Sequence, residues 1–286
     1  MSSLQVLAAR SLQGDGRCNE DRVGSAPGAA WVIDGATGVG RDLVGDGSDA
    51  AWFAAAVDRA LREALATGPE VATPDLLRAV VGAVALRFDA ERIADPDGPH
   101  ELPSAAFVLA RVSGEAIELS ALGDCRAVYA APGLPTATFG TDGVGRFEAE
   151  TLAELAALYA ADPLLEVTAA KALILPRLRA NRAFMNRPDG YWVLSIDPSA
   201  IDALHCVTIE RGGPLELLLA SDGFLRLDDL FRVVDAEGML AADDEQAIDR
   251  LLQTLRGLET ADAGCRRHVR AKVSDDASVL RARFAL

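Results

Sequence analysis

Three aspartates stand at the ends of apolar runs. Ala29-Ala30-Trp31-Val32-Ile33 ends in Asp34-Gly35, Leu217-Leu218-Leu219-Ala220 leads through Ser221 into Asp222-Gly223, and Asp275-Asp276 precedes Ala277-Ser278-Val279-Leu280. Short apolar runs bounded by turn residues read as buried strands. Carboxylates at strand ends can gather at one edge of a sheet, and a cluster of oxygen donors suits hard cations such as Mg²⁺ and Mn²⁺. Zinc would recruit His or Cys. The three histidines, His100, His205 and His268, show no ligand-pair spacing, and Cys18, Cys125, Cys206 and Cys265 form no CxxC pair. A glycine after the aspartate lets the backbone turn sharply and leaves its carbonyl oxygen unobstructed. Two such metals can bind a phosphate oxygen and convert a shared water into a hydroxide nucleophile near neutral pH. Asp-Gly is also an ordinary turn dipeptide, and Asp142-Gly143 and Asp189-Gly190 are assigned to turns.

The elements that must position these groups emerge from periodicity. Residues 5–9 predict a first strand, then a polar turn over 13–21. Ala29 to Ile33 predicts a buried strand. Helical spacing of apolar residues predicts a helix from Ser48 or Asp49 to Thr67, stopped at Gly68, and a second from Thr73-Pro74-Asp75 to about Ile93. Residues 105–112, 116–122 and 126–130 predict three strands joined by the hairpin-like connections Ser113-Gly114 and Gly123-Asp124. Residues 146–180 read as helix, broken at Pro163 and Pro176. Strands are expected at 191–195, 205–210 and 215–220. The acidic run 228–246 continues as helix to about Gly257, and a last strand covers 277–284. This order is that of an α+β sandwich, not a regular βαβ series, within one domain over residues 1–286.

Composition narrows the function. The chain has 286 residues, half of them hydrophobic, and a formal net charge of −15. Such an acidic chain is not expected to bind nucleic acid or an anionic membrane surface. Met1-Ser2-Ser3-Leu4-Gln5 lacks a basic stretch followed by an apolar one, no apolar run reaches the length of a membrane span, and the protein reads as cytoplasmic. Cys125 reads as a small buried thiol.

Five segments resemble, in order, the motifs of the metal-dependent protein phosphatases (the PPM family, type 2C serine/threonine phosphatases). They are Asn19-Glu20-Asp21-Arg22; Trp31-Val32-Ile33-Asp34-Gly35; Ser104-Ala105-Ala106 with Gly123-Asp124-Cys125-Arg126-Ala127; Ala220-Ser221-Asp222-Gly223-Phe224; and Asp275-Asp276-Ala277-Ser278-Val279. The resemblance implies a four-layer αββα sandwich of two antiparallel sheets flanked by helices, with two Mn²⁺ or Mg²⁺ ions at one edge. By position Asp34 would bridge the ions and the Gly35 carbonyl would bind one. Asp222 and Asp275 would ligate the other, and Glu20 and Asp21 would act through bound waters. Asp124 matches the aspartate of a third, weaker site in bacterial members. The implied reaction is hydrolysis of phosphoserine or phosphothreonine on a protein partner, such as a kinase or its target, by metal-activated water. The alternative is a phosphatase-fold regulatory module that binds a phosphoprotein without turnover.

Three departures stand out. The phosphate-binding arginine would be Arg17, one residue nearer to Glu20 than the pattern has it, with Arg10 and Arg22 as alternatives. Ala36-Thr37-Gly38 succeeds Asp34-Gly35 where the family often has His or Met and further glycines, so no histidine is available there as a general acid. Residues of about 140–190 form a divergent helical insertion or flap whose Arg177, Arg179, Arg182 and Arg187 are either a solvated face or a docking surface for an acidic or phosphorylated partner.

Overall fold

The computed structural model describes residues 3–44, 47–68, 70–210 and 213–285; Met1 and Ser2 of the N-terminal reading lie outside them. The chain runs β1 (Ser3–Leu12), β2 (Asp21–Ala26), β3 (Ala29–Gly35), α1 (Asp49–Thr67), α2 (Thr73–Glu91), β4 (Ser104–Ser113), β5 (Ala116–Leu122), β6 (Arg126–Ala130) and β7 (Ala137–Phe139). It continues through α3 (Gly145–Ala161), α4 (Val167–Arg182), β8 (Leu194–Ser195), β9 (His205–Glu210), β10 (Leu215–Ala220), α5 (Asp222–Asp229), α6 (Ala236–Ala241), α7 (Glu245–Ala261) and β11 (Ala277–Ala285).

Period-two patterning decides how these elements stack. In β3, Trp31 and Ile33 face one side, where they pack with Phe53, Val57 and Leu61 of α1 and Leu77, Val80 and Val84 of α2. Ala30 and Val32 face the other, against Leu217 and Leu219 of β10 and Leu280 and Ala282 of β11. The outward residues of that second sheet, Leu218, Ala220 and Val279, are covered by Phe224, Ile248, Leu252 and Leu255 of α5 and α7. The result is an αββα sandwich with one apolar seam between the sheets and one under each helical layer. Each large side chain fully buried in those seams contributes about 1.5–3 kcal/mol.

Both sheets are antiparallel, with strand orders β1-β11-β10-β6-β7 and β2-β3-β4-β5-β9, and β8 pairs with β4. The ladders bring the motifs together. Asp21 opens β2 directly opposite Asp34 at the end of β3. β10 and β11 are neighbours, so Asp222, just past one, and Asp275, just before the other, meet at the same edge.

Several expectations are revised. Gly123-Asp124 is not a hairpin: β5 and β6 belong to different sheets, and this connection crosses between them. Pro163 separates α3 from α4, but Pro176 lies inside α4 without ending it. The strand expected at 191–195 is confined to Leu194–Ser195. The acidic run after Asp228 is divided into separate helices by Asp-capped starts at Asp235 and Asp244. The strands β2 and β7 are additions to the expected set; Asp21–Ala26 carries a glycine and a serine amid charges, and Ala137–Phe139 is too short to show a period.

Candidate metal centre

The glycines of the two Asp-Gly pairs are required by close approach. A Cβ on Gly35 would stand 2.6 Å from the Glu20 carbonyl oxygen and 2.8 Å from that of Ala50. On Gly223 it would stand 1.9 Å from the Asp276 carbonyl oxygen. Neither glycine has a positive φ. Only a residue without a side chain lets β3 reach the start of α1, and α5 the loop before β11. Each aspartate is thus drawn into the cluster by the tight packing of its neighbouring glycine.

Asp34, Asp222, Asp21 and Asp124 form a cluster of carboxyls with too little positive charge around it. Asp34 is pushed well above the usual carboxylate range by burial first, then by the charges of Asp21, Asp222, Asp124 and Asp275. Asp222 is raised by burial and by Asp275, against the charges of Arg226 and Lys272, and lies within hydrogen-bond reach of Asp34. Asp21 is pushed up to about 7 by burial and by Asp276 and Asp222, against the Ser278 and Ser221 hydrogen bonds. Asp124, at the crossover, is pushed up to about 7 by burial and by Asp222. Buried carboxyls this close hold protons unless a cation joins them. One Asp21 oxygen, Oδ1, is buried without a hydrogen-bond partner, while Oδ2 accepts from Ser221 Oγ at 2.8 Å. An oxygen-only set with surplus negative charge and an orphaned buried acceptor fits a hard divalent cation.

Asp275 is differently placed. Lys272 Nζ donates to its Oδ1 at 2.7 Å and Arg226 Nη2 to its Oδ2 at 2.9 Å. Burial opposes its ionisation, but Lys272 and Arg226 outweigh that and hold it at about 2. Glu20 is spent as well: the Thr37 and Ser48 hydroxyls both donate to its carboxylate. Lys272 Nζ also donates to Thr37 Oγ1 at 3.0 Å. The expected ligands therefore divide into Asp34 and Asp222, without a direct ion pair among the described residues, and Asp275 and Glu20, whose carboxylates are engaged by protein donors. Among the described residues no three His, Cys, Asp or Glu side chains stand together in a ready metal-binding group.

Arg17 does not join the cluster. Its side chain is 73% exposed and pairs with Asp42 at 2.6 Å, with a second bond to the Gly47 carbonyl at 3.0 Å. Asp276, adjacent to a candidate ligand, is a tie: its carboxylate accepts from the Gly14 and Glu20 N–H groups, each at 2.7 Å, and fastens the loop between β1 and β2 to the start of β11.

Four further contributors lie outside the motifs. Lys272 closes the basic stretch Arg266-Arg267-His268-Val269-Arg270-Ala271-Lys272, Arg226 lies just before Asp228-Asp229, and only the fold turns both onto Asp275. Glu148 of α3 is raised by burial and by Asp222, so it lies near the same edge. Arg182 of α4, grouped above with a solvated or docking cluster, is buried. It donates to the Ala36 and Thr37 carbonyls at 2.7 and 3.0 Å and to Ser104 Oγ at 3.0 Å. The signal that could have found it is its place in the helix, eight residues after the buried Ile174. Arg177 instead pairs with Glu150 and Glu154 of α3.

Comparison with solved structures gives the same fold over nearly the whole chain. PstP/Ppp, a serine/threonine phosphatase of Mycobacterium tuberculosis, superposes with a TM-score of 0.56 at 18% identity, covering 99% of this chain and 100% of that one. The chain has the fold of the PPM phosphatases. MsPP, a PPM Ser-Thr phosphatase from Mycobacterium smegmatis in complex with cacodylate, matches equally, with a TM-score of 0.56, 18% identity and 99% of each chain covered. The catalytic domain of PstP in complex with two manganese ions matches with a TM-score of 0.52 at 18% identity over 100% of both chains. No protein-family model and no curated protein matches the sequence. Among the described residues no helix is long and apolar enough to cross a membrane.

Proposed function

We propose that the chain is a metal-dependent phosphatase that hydrolyses phosphoserine or phosphothreonine on a protein substrate, such as a kinase or its target. The observation that carries this reading is the convergence of Asp34, Asp222, Asp21 and Asp124 at one sheet edge, where burial and mutual repulsion outweigh the nearby cations and none of the four makes a direct ion pair among the described residues. Bound Mn²⁺ or Mg²⁺ would supply the Lewis acid and a water acidic enough to act as nucleophile at neutral pH.

In this reading Asp34, the Gly35 carbonyl and Asp222 hold the metal, and Asp21 and Asp124 orient water around it. Arg17 is the proposed phosphate-binding residue; to serve, its guanidinium must exchange Asp42 for the substrate's phosphate, whose fork geometry it matches. The helices α3 and α4 border the edge through Glu148 and Arg182 and are the proposed determinant of which phosphoprotein fits.

The test is hydrolysis of p-nitrophenyl phosphate and of a phosphothreonine peptide with Mn²⁺, compared with Asp34→Asn and Asp222→Asn. Activity that vanishes in both variants supports the reading; undiminished activity in either rejects it. A second reading, a phosphoprotein-binding module without turnover, is favoured by the capture of Asp275 by Lys272 and Arg226. It requires that the metal-loaded wild type bind the phosphopeptide and leave it intact.

A further inference from the structure

We infer that part of this site's positive charge is built into the chain: the Lys272 ammonium, backed by the Arg226 guanidinium, takes the position of a second cation at Asp275 and leaves room for one divalent ion, at Asp34 and Asp222. This rests on the metal-centre reading above and departs from the two-ion arrangement that the sequence motifs imply.

Both oxygens of Asp275 are engaged by protein cations, Oδ1 by Lys272 Nζ at 2.7 Å and Oδ2 by Arg226 Nη2 at 2.9 Å. Neither cation is loosely held. Arg226, 13% exposed, is fixed from behind by Glu259 Oε1 at 3.1 Å. The other Glu259 oxygen is held by Arg256 Nη1 at 2.6 Å, and Glu259 is fully buried. Lys272 comes after a loop pinned by Arg270, which bonds Asp262 Oδ2 at 2.8 Å and the Val273 carbonyl at 3.0 Å. From there the ammonium reaches Thr37 Oγ1 at 3.0 Å, and the Thr37 hydroxyl in turn donates to Glu20.

Glu20, Thr37, Lys272, Asp275, Arg226 and Glu259 thus form a continuous chain of hydrogen bonds along one side of the cluster. A divalent ion on Asp275 would share a carboxylate with two fixed cations, and their repulsion acts through a poorly hydrated site where it is weakly screened. Arg226 and Lys272 also act on Asp222 through space, but neither Asp34 nor Asp222 makes a direct ion pair among the described residues. Direct pairing is therefore lopsided, and the ion goes to the unpaired side.

The experiment is Mn²⁺ titration of the EDTA-stripped full chain by calorimetry, with electron paramagnetic resonance on the loaded protein. For the wild type we expect one tightly bound Mn²⁺ with the resolved hyperfine pattern of an isolated ion. In Lys272→Ala and Lys272→Met a second ion binds and the exchange-coupled spectrum of a pair appears, with circular dichroism confirming the fold. Two coupled ions in the wild type, or one ion in folded variants, overturns the inference while leaving the phosphatase reading intact. Absence of any Mn²⁺ binding, in wild type and variants alike, overturns both. Should neither variant fold, the wild-type stoichiometry alone decides: one ion upholds the inference and two overturn it.

Discussion

Replacing Arg182 by methionine tests whether the flap helix holds the segment after Asp34-Gly35 in place. Methionine keeps most of the apolar stem and removes the guanidinium. The Ala36 and Thr37 carbonyls then lose donors at 2.7 and 3.0 Å, and Ser104 Oγ loses one at 3.0 Å. A buried acceptor such as Ser104 Oγ stripped of its donor costs about 1–3 kcal/mol, and the partly buried carbonyls lie towards the lower end of that range. Part of that is returned, because Arg182 has no paired carboxylate among the described residues and burial lowers its pKa from the ordinary arginine value; an unpaired buried cation is itself costly. Two short carbonyl bonds against this partial relief leave a net loss of about 2–3 kcal/mol. At about 2 °C per kcal/mol for a chain of this size, the melting temperature falls by about 4–6 °C. Thermal unfolding monitored by circular dichroism measures it. Arg182→Lys falls between, since one ammonium cannot span the two carbonyls and Ser104 together. Calorimetry should show weaker Mn²⁺ binding in both variants, because Gly35 begins the braced segment. An Arg182→Met protein as stable as the wild type would show that desolvating the guanidinium costs as much as its bonds return, and the bracing argument would fail.

Four other substitutions probe the remaining parts of the site and its supports. Asp34→Asn should raise the melting temperature in EDTA while removing Mn²⁺ binding, since it relieves repulsion among the buried carboxyls; a variant less stable than wild type without metal contradicts that. Gly223→Ala should destabilise by more than about 2 kcal/mol, because its Cβ meets a backbone carbonyl that cannot rotate away; urea unfolding measures the loss. Arg17→Ala should leave stability unchanged, its ion pair being exposed, and should raise the KM for a phosphopeptide; an unchanged KM removes Arg17 from the phosphate site. Asp262→Asn reports on pH. Burial opposes ionisation of Asp262, but the Arg267 N–H, the Arg270 guanidinium and the His268 and Arg266 N–H groups hold it at about 2. Its folded pKa lies below the unfolded value of about 3.9, so its contribution of about 2–3 kcal/mol is complete above pH 4 and is lost as pH falls towards 2. The stability gap between wild type and Asp262→Asn should therefore be full at pH 6 and close in acid; a gap independent of pH refutes the assignment.

What can be read from the chain is what local pattern encodes. The buried strands ending in Asp34 and leading to Asp222 are legible because a strand packed on both faces reads as an uninterrupted apolar run. The helix from Asp49 is legible because Ser48 accepts from the Ala51 N–H as a cap should. Pairing is less accessible. Gly123-Asp124 has the composition of a hairpin turn, and nothing within ten residues says that β6 leaves the sheet of β5 to lie beside β10. That is settled at long range, by Val128 facing α5 and α7 while Ala127 faces the inter-sheet seam.

The same distinction explains which half of the site is visible in the sequence. Ligand candidates are written in motifs, so Asp34, Asp222 and Asp275 can be named from their neighbours. The groups that decide what those candidates do are written nowhere locally. Lys272 lies three residues from Asp275, a spacing that carries no meaning outside a helix. Arg226 lies 49 residues from it, and Glu259, which holds Arg226 in place, is 33 residues further on from Arg226. Charge placed by tertiary structure can convert a metal ligand into half of an ion pair without altering a single motif residue. In a chain with a net charge of −15, two half-buried basic groups converging on one of the motif aspartates are therefore more informative than the aspartate itself. Under the proposed one-ion reading they limit the edge to a single divalent ion, and that number would govern which phosphate oxygens can be neutralised at once.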